Sequence, residues 1–254
     1  MREIVVIGVG AGDPEQVTMQ AVSALNRVDV FFVLDKGEVK QELVDLRSEI
    51  LRRYATSKEY RVVVGRDPER DRTTAAYVEA VDDWRRRRAD VCADLIATEL
   101  GEDQVGAFLV WGDPSLYDST IALIEAVLAR GNIAFDYEVI PGVSSISALV
   151  ARHRTTMNQI GRAVQLTTGR RLATGWPADA DDVFVLLDAH TTFERFADQG
   201  LHIYWGAYVG TPDEILLSGP LDSALAARIS SVRAEAREKH GWIMDTYLLR
   251  RPRR

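Results

Sequence analysis

"IGVGAGDP", Ile7 to Pro14, follows the apolar run "IVV" (Ile4 to Val6) at the start of the chain. A short β-branched run breaking into alternate glycines is how a strand ending in a phosphate-binding turn reads in sequence. The first reading is therefore a dinucleotide loop, with pyrophosphate against backbone N–H groups at a helix N-terminus. "VFFVLD" supports it, because it ends in Asp35 about twenty residues on, where such folds keep a ribose-binding acid. The local spacing argues against it. Gly8, Gly10 and Gly12 give G-x-G-x-G, and Asp13 then stands where a diphosphate needs donors, while Pro14 removes one donor. No Gly-Lys-Ser/Thr follows, so a P-loop fails as well.

Outward from this turn, short apolar runs alternate with amphipathic stretches. Strands are expected at Ile4 to Val9, Val30 to Leu34, Arg61 to Val64, Ala107 to Trp111 and Phe135 to Ile140. Helices are expected at Val17 to Asn26, Val39 to Arg53, about Thr73 to Leu100, and Ser119 to Arg130. That order implies a mostly parallel sheet with helices on both faces, which collects ligands at the carboxyl ends of its strands. The second half has closer strands, at Ala163 to Gly169, Asp182 to Ala189, His202 to Gly210, Glu214 to Leu221 and Gly241 to Arg250. Helices fit Thr191 to Gln199 and Leu221 to His240. The whole reads as α/β in two domains, residues 1–156 and a mixed-sheet domain at 157–254, with "RRPRR" a frayed tail.

Composition narrows the function. The 254 residues are 46% hydrophobic, enough for a substantial core, and no run is long enough to span a membrane. The opening apolar stretch is too short for a signal peptide, which makes the cytoplasm the expected compartment. Cys92, the one cysteine, has no ligand-spaced neighbour, so no metal site is expected. A net charge of −7 argues against a nucleic-acid binder. "WRRRRAD", Trp84 to Asp90, reads as a solvated helix face.

Two further turns decide the matter. "FLVWGDPSLYDS", Phe108 to Ser119, repeats the design of apolar strand, Gly-Asp-Pro turn and helix. "YEVIPGVSSISALVA", Tyr137 to Ala151, is a strand, Pro-Gly and a serine-rich helix start. In this order the three turns make the chain resemble the tetrapyrrole (corrin and porphyrin) methyltransferase family, whose loops read GxGPGDP, GDPxxYG and PGxSS or PGxTS. The matches are "GVGAGDP" from Gly8, "GDPSLYD" from Gly112 and "PGVSS" from Pro141. The finer pattern, including "LTTGRRL" and "KHGWIMDTYLLRR", resembles the deacetylating precorrin-6A synthase branch. The sequence departs from the family pattern at Ala11, in place of proline, and at Asp118, in place of glycine.

The resemblance implies S-adenosylmethionine as cofactor, S-adenosylhomocysteine as product, and a cofactor cleft between the two domains. It places Trp111, Gly112, Asp113, Leu116, Ser144, Ser145, Asp188, Val209 and Trp242 near the cofactor. It also implies methylation of precorrin-5 with loss of acetate, on a polycarboxylate tetrapyrrole substrate, by an enzyme that is commonly a homodimer. Methyl transfer rests on alignment, whereas deacetylation benefits from a base and an oxyanion donor. Asp13 and Tyr117 are the first candidates there, with Asp118 and His153 behind them, and helix capping is the competing role for Asp13. Arg170 and Arg171 suit substrate carboxylates. Another precorrin C-methyltransferase is the nearest alternative, and a nucleotide-dependent oxidoreductase built on Gly8 to Gly12 and Asp35 a distant one.

Overall fold

The computed structural model describes residues 1–35, 41–69 and 77–252, so the helix starts expected at Val39 and Thr73, and Arg253 and Arg254 of the tail, lie outside the described residues. Two compact units divide the chain, Met1–Val143 and Ser144–Arg254. The sequence reading sets its boundary later, after residue 156. The difference is one helix, Ser145–Arg152 (α5 below), which packs on strands of the second unit.

In the first unit, β1 (Glu3–Gly8), β2 (Val30–Asp35), β3 (Arg61–Arg66), β4 (Val105–Val110) and β5 (Asp136–Ile140) form a sheet of order β3-β2-β4-β1-β5. Every pairing in it is parallel. Ile4 to Ile7 of β1 are fully buried, as both faces of a parallel sheet must be when helices cover them. Alternate residues go to opposite layers. Ile4, Val6, Phe32 and Phe108 meet Cys92 and Ile96 of α3 (Tyr77–Glu99) and Ile124 of α4 (Thr120–Leu128). Val5, Ile7 and Phe31 meet Leu25 of α1 (Met19–Leu25) and Ile50 of α2 (Gln41–Tyr54).

The expected helix from Val17 is split. Asp13 caps a 3-10 turn at Pro14–Gln16, and Thr18 then caps α1 by accepting the Ala21 N–H at 3.0 Å. Cys92 is an inert core residue, its thiol pushed up to about 12 by burial. In the arginine run, Arg85, Arg86 and Arg87 form exposed pairs with Asp82 and Asp83, as a solvated face should. Arg88 instead turns inward, to Asp67 at 2.8 Å and the Ser119 hydroxyl at 2.9 Å.

In the second unit, β6 (Val164–Thr168), β7 (Asp182–Leu186), β8 (His202–Ala207), β9 (Ile215–Pro220) and β10 (Asp245–Arg250) form a mixed sheet of order β6-β7-β10-β8-β9, in which β6 and β7 alone run parallel. One face packs Val183, Val185, Trp205, Tyr247 and Leu249 against Ile229 of α7 (Ser223–His240) and Phe193 of a 3-10 helix at Thr192–Phe196. α5 (Ser145–Arg152) packs against β8 and β10. A single turn, α6 (Gly169–Leu172), follows β6 directly and is absent from the sequence reading. Gly241 stops α7 at φ 72°, a left-handed cap that suits glycine.

Candidate functional site

Because β4, β1 and β5 are parallel neighbours, their carboxyl ends bring the three turns of the sequence side by side within the first unit. Contact between them is backbone on backbone. Gly10 and Gly112 exchange hydrogen bonds, Gly112 N–H to Gly10 O at 2.8 Å and Gly10 N–H to Gly112 O at 3.3 Å. A Cβ on Gly142 would lie 2.1 Å from Gly112 O, and one on Gly8 would lie 2.6 Å from Gly142 N. Glycine stands at these positions because three chains converge there, with no room for a side chain.

Asp113 holds this arrangement. Its Oδ2 accepts the Gly142 N–H at 3.0 Å, and its Oδ1 accepts the Ser115 N–H at 2.8 Å and the Ser115 hydroxyl. Burial pushes the carboxyl pKa up, but the Ser115 and Gly142 donors outweigh it and hold it below the ordinary carboxylate range. Asp13 Oδ1 accepts the Glu15 N–H at 2.9 Å, the capping role weighed against catalysis. Ala11 is buried, and its N–H donates to Gln16 Oε1 at 2.9 Å, so this departure from the family pattern packs inward. Asp118, the other departure, is exposed and accepts the Thr120 N–H at 2.6 Å.

The remaining central-loop residues differ in what they present. Tyr117 is 47% exposed and sits at φ 51°, a left-handed conformation that is strained for an aromatic residue. Leu116 is half-buried above the Asp113 turn, its N–H on Asp113 O at 3.1 Å. Trp111 has a buried Nε1–H with no acceptor, a costly donor to leave unmet.

The second unit carries the other expected residues. Ser144 caps α5 by accepting the Ser147 N–H at 3.2 Å, and Ser145 is the first helical residue. Asp188 is 5% exposed and saturated with donors. Its oxygens accept the His190 N–H at 3.0 Å, the Thr192 N–H at 2.6 Å, the Thr192 hydroxyl at 2.9 Å and the Tyr247 hydroxyl at 2.6 Å. Its carboxylate is therefore committed inside the unit, and Leu187 beside it is the exposed residue, at φ 54°. Arg233 extends the network from Asp188 O at 2.7 Å to Asp245 at 2.9 Å, which also accepts the Trp205 Nε1–H at 3.0 Å.

Val209 is 5% exposed. Trp242 is half-buried, edge-on to Tyr208 at 5.1 Å, and its carbonyl accepts the Tyr208 hydroxyl at 2.6 Å. Arg170 and Arg171 are both exposed on α6, where Thr168 caps the turn. His153 ends α5 and its Nε2 lies 3.0 Å from Trp205 O, a structural contact.

The sequence reading missed Arg47 on α2. Its Nε–H is buried with no partner, and burial lowers its pKa against the opposing pull of Asp118. A signal exists, because Arg47 falls on the stripe Leu46, Ile50, Leu51 and Tyr54, where helical spacing calls for an apolar residue.

Among the described residues no helix is long and apolar enough to cross a membrane. The model of the Tetrapyrrole (Corrin/Porphyrin) Methylases matches residues 3–225. A Sinorhizobium precorrin-6A synthase [deacetylating] is 49% identical over 251 residues, covering 99% of this chain and 96% of the relative. A crystal structure of a cobalamin-synthesis-related protein from Corynebacterium diphtheriae superposes with TM-score 0.84 at 37% identity, covering 98% of each chain. The uroporphyrin-III C-methyltransferase of Thermus thermophilus, complexed with S-adenosylhomocysteine, shares the fold at TM-score 0.57 and 16% identity, covering 98% of this chain and 97% of that one. With three glycine turns locked at one sheet edge and a family model spanning most of its length, the chain belongs to the tetrapyrrole (corrin/porphyrin) methylase family.

Proposed function

We infer that this protein is an S-adenosylmethionine-dependent C-methyltransferase that methylates precorrin-5 and releases acetate to give precorrin-6A. The observation that carries this reading is the 49% identity to a deacetylating precorrin-6A synthase over nearly the whole of both chains. S-adenosylmethionine would supply an electrophilic methyl group on a sulfonium. The residues present fit it: Trp111 offers an unmet N–H beside the glycine turns, and Asp113 holds the Gly142 main chain in place. In the first unit Trp111, Gly112, Asp113 and Leu116 are assigned to the cofactor. In the second, Ser144, Ser145, Val209 and Trp242 are assigned to it, with Asp188 acting as the inward anchor that presents its neighbours.

The chain's chemical work falls in two parts. Methyl transfer forms a carbon–carbon bond at the macrocycle as the sulfur–carbon pair returns to sulfur, and it needs alignment more than a base. Deacetylation adds water to the acetyl carbonyl, breaks the bond to the ring and leaves acetate, the ring keeping the electron pair. Asp13 is assigned as the base for that water and Tyr117 as a donor to the carbonyl oxygen. Arg170 and Arg171 are assigned to substrate carboxylates.

Incubation of the protein with precorrin-5 and S-adenosylmethionine, read by mass spectrometry, tests this. The expected product is heavier by one methyl and lighter by one acetyl, with acetate in the medium. A methylated product that keeps its acetyl group would sink the reading and favour another precorrin C-methyltransferase. The expected assembly is a cytoplasmic homodimer, checked by light scattering on the purified protein.

A further inference from the structure

Among the described residues, two buried side-chain nitrogens lack a hydrogen-bond partner, Trp111 Nε1 and Arg47 Nε. Both are donors. Trp111 opens the turn after β4, and α2, which carries Arg47, packs against the 3-10 helix that follows the first turn. Two unmet donors beside neighbouring turns are unusual, because buried polar groups normally find partners inside the protein.

Arg47 is the more demanding of the two. No ion pair closes on it among the described residues, and Asp118, which acts on its charge through space, is already engaged by the Thr120 N–H. A half-buried guanidinium on the apolar stripe of a helix, with its Nε–H taken from water and left open, destabilises the unliganded fold. It is also preorganised for a planar anion, since the fork of its donors matches a carboxylate. Asp118 stands where the family pattern has glycine, and it moderates that positive charge.

We propose that Arg47 is a receptor for a carboxylate of the tetrapyrrole substrate, at the carboxyl edge of the first unit's sheet. This rests on the substrate class inferred above. Carboxylate chemistry is shared with the methionyl end of the cofactor, so the experiment separates the two sources.

Uroporphyrin III, a polycarboxylate tetrapyrrole, is titrated into the full-length protein saturated with S-adenosylhomocysteine, for wild type, Arg47→Met and Arg47→Lys. S-adenosylhomocysteine affinity and Tm are measured on the same samples. The expected result is uroporphyrin III affinity weaker by tenfold or more in Arg47→Met and partly restored in Arg47→Lys. S-adenosylhomocysteine affinity stays within twofold, and Tm is unchanged or raised. A Tm raised or held while binding is lost is the signature of a ligand-directed arginine, whereas a purely structural one would lower Tm.

Unchanged uroporphyrin III affinity overturns the proposal, as does a wild type that binds no uroporphyrin III. Loss confined to S-adenosylhomocysteine overturns it in favour of the cofactor's carboxylate. The reading of the reaction is tested apart from this, by turnover of precorrin-5 in wild type. Failure of that turnover with the binding pattern intact would leave the Arg47 assignment standing.

Discussion

Asp113 Oδ2 accepts the backbone N–H of Gly142 at 3.0 Å, so one side chain of the central loop holds the main chain of the third. Asp113→Ala removes this acceptor together with the one that holds Ser115. It is expected to cost about 1–3 kcal/mol of stability, the range for losing hydrogen bonds to a charged acceptor, and to weaken S-adenosylhomocysteine at least tenfold. Asp113→Asn keeps one acceptor oxygen and falls between. Denaturant unfolding and calorimetry on the two variants check this.

Gly142→Ala and Gly131→Ala separate crowding from conformational strain. The first would place a Cβ 2.1 Å from Gly112 O, against backbone that cannot step aside, whereas Gly131 has nothing within 4 Å of its added Cβ and only its φ of 67° to overcome. Gly131→Ala is expected to cost about 1 kcal/mol. Gly142→Ala is expected to exceed about 3 kcal/mol, beyond ordinary overpacking, or to yield no folded protein. Urea midpoints of both variants give the comparison.

Tyr247→Phe leaves Asp188 with the His190 N–H and the two Thr192 donors. A cost of about 1–3 kcal/mol follows, as for a buried charged acceptor losing a donor. Because the carboxylate faces inward, S-adenosylhomocysteine affinity should stay within twofold. A tenfold loss of affinity without loss of stability would instead give Asp188 a direct ligand role.

Acid should weaken the second unit through its histidines. Burial lowers the pKa of His153 from the usual 6.5, against the pull of Trp205 O and Glu214, and burial lowers that of His202 as well. The unfolded chain then binds these protons more readily than the fold does. Stability is full above about pH 6.5 and is lost as pH falls below it. The wild-type Tm is expected to drop more than that of His153→Gln between about pH 7.5 and 5.5, as scanning calorimetry would register.

Asp13→Asn keeps an acceptor for the Glu15 N–H, so stability should change by no more than about 0.5 kcal/mol. As the assigned base, its loss is expected to slow acetate release about 100-fold or more while S-adenosylhomocysteine affinity holds. Single-turnover acetate measurement separates these roles, since a residue that only caps would leave the rate unchanged.

Local chemistry is what reads directly from the chain. β1, β2 and β7 follow their β-branched runs, and the serine-rich stretch after Pro141 and Gly142 starts the helix that Ser144 caps. The three glycine turns disclose where the strand ends meet, because only glycine allows their contact. Long-range choices were not readable: nothing local places β4 between β1 and β2, or seats β10 between β7 and β8. The inward turn of Arg88 and Asp188 was hidden for the same reason, since their partners Asp67 and Tyr247 are distant in sequence. Arg47 was hidden differently. Its stripe position was visible, but a lone arginine on an apolar stripe also fits a side chain whose head reaches water.

The junction of Gly8, Gly10, Gly112 and Gly142 has a consequence for anyone redesigning this enzyme. Its loops are indexed to one another by main-chain contacts, with the Asp113 carboxylate as the side-chain link, so adding or deleting one residue between Gly8 and Gly10 would shift that index and unseat the turns together. Loop length is thus a closed variable at this edge. New substrate preference is better sought at exposed side chains outside the junction, chiefly Tyr117 and Asp118.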